Sequence, residues 1–155
     1  MRNPMKPITI LMADDDPDDR QLTKEAFAES RLMNDLRFVV DGEELLDYLH
    51  RRGKFSDPES SPRPGLILLD LNMPKKDGRE SLREIKADPR FKTLRVVIMT
   101  TSKAEEDIAR TYALSASSYI TKPVTFEGLV DVIRTLGKYW LEIVELPEPP
   151  DDSPR

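Results

Sequence analysis

No cysteine occurs among the 155 residues. That excludes disulfide scaffolds, thiolate zinc sites and cysteine nucleophiles, and it is compatible with a reducing compartment without requiring one. The one histidine, His50, stands beside Arg51 and Arg52. It has no second imidazole or thiolate to share a metal, and it reads as a solvated helix residue. Long apolar runs are missing too. The stretch Ile8 to Ala13, interrupted by Thr9, is far too short for a signal-peptide core or a membrane-spanning helix. The expectation is a cytoplasmic protein without a membrane partner. Positive charge is in deficit, with 24 Lys and Arg against 29 Asp and Glu and a net charge of -5. Nucleic-acid affinity rests on clustered Lys and Arg, so no nucleic-acid partner is expected. The groups "HRR" and "PKK" read as solvated helix ends and loops. Neither G-x-x-x-x-G-K-[ST] nor G-x-G-x-x-G occurs, so nucleotide binding has no support.

What is present is a regular alternation. Five short apolar runs recur: "ITILMA" (8–13), "LRFVV" (36–40), "LILLD" (66–70), "VVIMT" (96–100) and "SYIT" (118–121). Helical patterns fill the gaps. In "PDDRQLTKEAFAES", Leu22, Ala26 and Phe27 share a face, Asp16 is the candidate N-cap and Pro17 the first helical residue. "GEELLDYLHRR", "GRESLREIKADPR" and "AEEDIARTYAL" follow the next three runs. A last helix begins near Thr125 and carries Leu129, Ile133, Leu136 and Trp140 on one stripe. Continuously apolar strands alternating with helices predict an α/β fold: a five-stranded, parallel, doubly wound (βα)5 sheet. Residues 51–65, rich in Ser and Pro, read as an exposed loop. One domain is expected over residues 6–146, with a disordered tail over 147–155.

In such sheets ligands bind at the carboxyl ends of the strands. The first run delivers Asp14, Asp15 and Asp16 there, the third Asp70, the fourth Thr100, Thr101 and Ser102, and the fifth Thr121, Lys122 and Pro123. The second delivers Asp41-Gly42, which reads as an ordinary turn. Clustered carboxylates stay ionised together when a cation sits among them. Oxygen donors without His or Cys suit Mg²⁺. Mg²⁺ would screen an incoming phosphoryl group from Asp70, and Lys122 with the Thr100 hydroxyl would hold its oxygens. Asp70 could be the nucleophile, forming an acyl phosphate.

The fragments "DDD", "LLDLNMPKKDG", "MTTS" and "YITKP", each at a strand end, resemble those of the receiver domains of two-component response regulators. The resemblance spans roughly residues 6 to 138 and implies the flavodoxin-like receiver fold. It implies that Asp70 is phosphorylated by a sensor histidine kinase. It further implies that Asp15 and Asp70 bind Mg²⁺ directly with the backbone carbonyl of Asn72, Asp14 acting through water. Thr100 and Lys122 would read the phosphate, Tyr119 would be the switch aromatic, and the Lys122–Pro123 bond would be cis. Asn72 and Ser102 occupy the positions that tune phosphate lifetime in that family. The loop before Asp70 and the ending "YWLEIVELP" are similar to response regulators that partner bacterial phytochromes. That likeness implies a homodimer through Trp140, Leu141, Ile143 and Val144, with no output domain. "ALSASSYI" departs from the Gly-Ala found before the fifth strand in many receivers.

Plainer readings stand beside these. Acidic residues at a helix start serve capping and the helix dipole, and Asp16, Asp18 and Asp19 are assigned that role. Thr100 could simply end a strand, Lys122 lie on the surface, Tyr119 be a half-buried strand aromatic, and the C-terminal apolar residues fold onto the core. A haloacid-dehalogenase-type phosphohydrolase is the enzymatic rival. It needs a carboxylate two residues after its nucleophile, where this chain has Asn72. A receiver-like module that never takes up phosphate is the other rival. The expectation is a non-enzymatic phosphoacceptor that assists its own aspartyl phosphorylation and dephosphorylation.

Overall fold

The structure, a computed structural model, describes residues 8–32, 34–71, 73–100, 118–123 and 125–138; for Thr100, Ser118 and Tyr119 the description is confined to the backbone. Strands β1 (Thr9–Ala13), β2 (Asp35–Val39), β3 (Leu66–Leu69), β4 (Arg95–Thr100) and β5 (Ser118–Thr121) form one parallel sheet in the order β2-β1-β3-β4-β5. The predicted parallel doubly wound sheet is therefore present. β1 pairs with β3 from Ile10 opposite Leu66 to Ala13 opposite Leu69, so the residues that follow, Asp14 and Asp70, leave the sheet side by side. β4 pairs with β5 up to Thr100 opposite Thr121, which sets Lys122 at the same edge.

Helices α1 (Pro17–Glu29), α2 (Gly42–His50), α3 (Gly78–Ala87) and α4 (Phe126–Leu136) are described. Alternating strand residues feed a core on each face of the sheet. Leu11, Ile67, Leu69 and Ile98 meet Leu45, Leu82, Ile85 and Phe91 on one side. Ile10, Met12, Leu68 and Met99 meet Ala26, Phe27, Leu129 and Ile133 on the other. Each helix starts on a side-chain cap that satisfies otherwise orphaned amides. Asp16 accepts from the Asp18 amide ahead of Pro17, as predicted, and Asp41, Asp77 and Thr125 cap α2, α3 and α4. Leu22 departs from expectation. It is 40 % exposed, and Thr23 takes the buried place beside Ala26 and Phe27.

Residues 51–65 are largely exposed, as expected, and the loop is pinned to α2. A 3₁₀ turn (Gly53–Phe55) sets the Phe55 ring 5.2 Å from Tyr48, and the Tyr48 hydroxyl donates to the Pro62 carbonyl at 2.7 Å. Burial raises the Tyr48 phenol to about 12. His50 is half-buried and has partners: its ring meets Phe91 edge-on at 5.0 Å, and Arg90 donates to its Nδ1 at 3.0 Å. The predicted helix "AEEDIARTYAL", Ser102, and the tail 147–155 lie outside the described residues. No described helix is long and apolar enough to cross a membrane.

Candidate functional site

The carboxyl edge of the sheet is built by backbone first. The Asp14 amide donates to Val39 O at 3.1 Å and the Asp70 amide to Ala13 O at 3.0 Å, so β2 anchors Asp14 and β1 anchors Asp70. From the other side α3 presses on Asp70. A Cβ at Gly78 would stand 2.5 Å from the Asp70 carbonyl oxygen and 2.7 Å from Leu71 Cα, closer than any side chain allows. The Gly78 amide also donates to Leu71 O at 3.0 Å, closing the loop that follows Asp70. In that loop Lys75 takes a left-handed conformation with φ 62°, uncommon for a residue bearing a Cβ.

Asp14 is fully buried and Asp70 is 8 % exposed. Asp15 is exposed, yet Asp14, Asp15 and Asp70 each offer a carboxylate oxygen, and these oxygens lie within 4.8 Å of one another. Lys122 reaches into this group from the end of β5. Its Nζ donates to Asp14 Oδ2 at 2.6 Å, Asp19 Oδ2 at 2.7 Å and Asp70 Oδ2 at 3.1 Å. The second Asp14 oxygen accepts the Asp16 amide at 2.9 Å. Arg20 donates to the Asp14 carbonyl oxygen at 2.7 Å, tying the first turn of α1 to the end of β1.

Four carboxylates thus gather around one ammonium. Burial is the largest influence on Asp14 and raises its carboxyl above the ordinary value of 3.8, against the pull of Lys122. Burial alone would lower Lys122; its hydrogen bonds to Asp14 and Asp19 outweigh that and hold it above its ordinary value. The ammonium is therefore permanently charged, while the carboxylates remain in excess. That excess of hard oxygen donors, with no nitrogen or sulfur among them, fits a small divalent cation such as Mg²⁺. An adjoining cavity of about 80 Å³ opens between α1 and α4, lined by Leu22, Thr23, Phe126 and Leu129 with Asp19 and Lys122.

The structure brings together Asp14, Asp15, Asp70 and Lys122 as the sequence reading expected. Thr100 ends β4, and Tyr119 lies in β5 opposite Ile98, at the same edge. Asn72, Trp140, Leu141, Ile143 and Val144 lie outside the described residues. Two expectations fail. The Lys122–Pro123 bond is trans, not cis; trans is the lower-energy isomer by about 0.5–1 kcal/mol even before proline. Asp19 is no mere dipole residue, because it holds Lys122 directly. Its signal was available: the helix beginning over the end of β1 turns a first-turn acid back toward the strand.

Sequence reasoning also missed Asp41-Gly42. The Gly42 amide donates to Lys76 O at 3.0 Å, and a Cβ there would stand 2.0 Å from that oxygen. Asp41, buried, caps Glu44 at 2.7 Å. The second strand end therefore braces the loop that follows Asp70. Its one signal was glycine at a helix start, where a better helix former would ordinarily serve.

Comparison with known proteins agrees with this geometry. Residues 10–134 match the response regulator receiver domain. The response regulator Rcp1 of Synechocystis sp. (strain ATCC 27184 / PCC 6803 / Kazusa) is 40% identical over 141 residues, 91% of this chain and 94% of that protein. A crystal structure of the Mn²⁺-bound form of response regulator Rcp1 superposes with a TM-score of 0.82 at 40% identity, covering 92% of this chain and 100% of that one. The phosphorylated cyanobacterial phytochrome response regulator RcpA superposes with a TM-score of 0.85 at 39% identity, covering 92% of this chain and 100% of that one. The sheet order, the acidic edge and these matches converge: the chain belongs to the response regulator receiver family.

Proposed function

We propose that Asp70 accepts a phosphoryl group from the phosphohistidine of a sensor kinase, and that the chain signals by the rearrangement this causes. The observation that carries the reading is the meeting of Asp70 with Asp14, Asp15 and Lys122 at the ends of three strands and the start of α1. In the transfer an Asp70 oxygen attacks phosphorus, the bond from phosphorus to the donor's imidazole nitrogen breaks, and an acyl phosphate forms. Asp70 is suited to this because its backbone is fixed from both sides, leaving its carboxylate aimed at the edge of the sheet.

Asp14, Asp15 and Asp70, with the Asn72 carbonyl, are the residues that would hold Mg²⁺. When bound, the ion supplies positive charge against the phosphoryl oxygens. Lys122 contributes the second positive charge, and its raised pKa keeps it protonated throughout the working range. Thr100, which ends β4, would serve as hydroxyl reader and Tyr119, in β5, as switch aromatic. A two-state repacking there shifts partner binding. Asn72 in place of a second acid argues against turnover of external phosphate esters. The name of one relative, a cyanobacterial phytochrome response regulator, supports a phytochrome as the kinase, and a cytoplasmic setting is part of the same reading. The apolar residues Trp140, Leu141, Ile143 and Val144 support self-association as a homodimer.

The deciding experiment is intact mass after incubation with acetyl phosphate and Mg²⁺, run beside Asp70→Asn and a metal-free control. One added phosphoryl group, absent from both controls, is the expected result. Uptake by Asp70→Asn would move the acceptor elsewhere, and no uptake at all would sink the reading.

A further inference from the structure

We propose that Asp19 is a positioning residue: it anchors the Lys122 ammonium from α1, so that Lys122 can release Asp70 without leaving the site. This deepens the proposed function and rests on it. An ammonium has three N–H donors, and here each meets a different carboxylate. The two short contacts go to Asp14 at 2.6 Å and Asp19 at 2.7 Å; the long one goes to Asp70 at 3.1 Å. The bonds are therefore unequal in the direction that matters. The weakest is the one that a cation or a phosphoryl oxygen arriving at Asp70 must displace.

Asp14 alone cannot supply this anchoring. It is fully buried, belongs to the cation-binding set, and shares its charge between Lys122 and the Asp16 amide. Asp19 stands outside that set, on the first turn of α1, with about a third of its side chain exposed. Its bond to Lys122 does not draw on the oxygens that a cation at Asp70 would use. Without it, the ammonium's remaining partners are Asp14 and Asp70, both of which the cation also needs. Lys122 then competes with the cation for the same oxygens. Asn at position 19 keeps an oxygen that can accept from the ammonium but removes the attraction between the two charges, so it weakens the anchor without removing the side chain.

Asp18 provides the control. It lies in the same helical turn, carries the same charge, and makes no contact with Lys122 among the described residues. The experiment is Mg²⁺ titration by calorimetry of the full chain as wild type, Asp18→Asn and Asp19→Asn, with thermal unfolding to show that each variant is folded. The two variants are then compared again in a Lys122→Met background. Asp19→Asn is expected to weaken Mg²⁺ binding about fivefold, and Asp18→Asn less than about twofold, as contacting residues couple and separated ones add. In Lys122→Met the gap between the two closes. Equal effects of the two variants would overturn the proposal, because only loss of charge would then be at work. A gap that survives Lys122→Met would overturn it equally, since Asp19 would then act on the cation and not through lysine. The comparison in the wild-type background stands even if Lys122→Met does not fold. Wild-type protein that binds no Mg²⁺ would defeat the metal reading itself, a result distinct from either outcome above.

Discussion

The two ends of the sheet handle charge in opposite ways. At the carboxyl ends of the strands, Asp14, Asp15, Asp19 and Asp70 surround Lys122, and its partners stand 108, 103 and 52 residues away in the chain. At the amino ends, charged groups settle in single pairs or on an aromatic ring. Asp88 accepts from Arg90 two residues on, at 2.8 Å, and this lowers the Asp88 carboxyl to about 2. Arg63 and Arg90 both lie over the ring of Phe91, with the guanidinium carbons 5.3 and 4.9 Å from its centre. The Asp88–Arg90 pair arises from neighbouring sequence, Arg63 reaches Phe91 from a distant loop, and neither contact needs a ligand. A cluster assembled from three strand ends and a helix start with too little positive charge is costly, and folds retain such clusters where chemistry requires them.

The sharpest way to break this comparison is Lys122→Met. It removes the ammonium that joins Asp14, Asp19 and Asp70 and is expected to cost about 2 kcal/mol, less than the roughly 3–5 kcal/mol of a fully buried broken pair because Asp19 is partly solvated. For a chain of this length that is a fall in Tm of about 6 °C in metal-free buffer. Millimolar Mg²⁺ should restore most of it, since binding to the folded state alone stabilises that state. A variant that melts with the wild type, with or without Mg²⁺, would show that the acidic edge is not held by charge.

Asp14→Asn tests the same contrast from the other side, with a smaller effect of opposite sign. Because burial raises the Asp14 carboxyl in the folded chain, its ionised form disfavours folding at neutral pH. The raised group favours the folded state fully only below its ordinary 3.8, and that contribution is lost as pH rises through the folded value. The neutral amide should therefore raise stability by about 1 kcal/mol at pH 7, within the usual range for relieving a functional strain. The gain should shrink as pH falls from the raised folded value toward 3.8 and be absent below it, and Mg²⁺ binding should weaken in the same variant. A loss of stability at neutral pH would mean that the Asp14–Lys122 bond outweighs the burial of the carboxylate.

This contrast also explains what the sequence disclosed. The strands were legible because runs such as "LILL" are apolar on both faces, and the acids were legible because each ends such a run. Position along a strand carries straight into position at the edge of the sheet. Asp19 was harder, because its role depends on the angle at which α1 leaves β1, and a first-turn acid has an adequate local explanation already. Gly42 was hidden for a similar reason. Its contact is with the carbonyl of Lys76, and no pattern in side-chain chemistry records a backbone approach. His50 was misjudged because its neighbours in sequence are arginines, whereas its neighbours in space are Phe91 and Arg90.

His50 gives the smallest effect and the finest test of the amino-end pattern. Burial, then the charges of Arg52 and Arg90, lower its pKa below the ordinary 6.5; Asp88 and Glu84 oppose them weakly. Arg90 donates to Nδ1, so the neutral ring carries its proton on Nε2, and protonation at Nδ1 would set a hydrogen against a guanidinium. A depressed pKa means that the unfolded chain binds the proton more readily. Stability is thus fully present above 6.5 and is lost as pH falls from there through the folded value. Partly exposed as it is, the ring should contribute no more than about 0.5 kcal/mol, the scale of a screened surface interaction. Urea unfolding at pH 7.5 and 5.5 should show the wild type losing more stability over that interval than His50→Gln, which cannot titrate. Identical losses would mean that the carboxylates alone set the pH dependence. The packing of His50 between Phe91 and Arg90 would then be electrostatically silent.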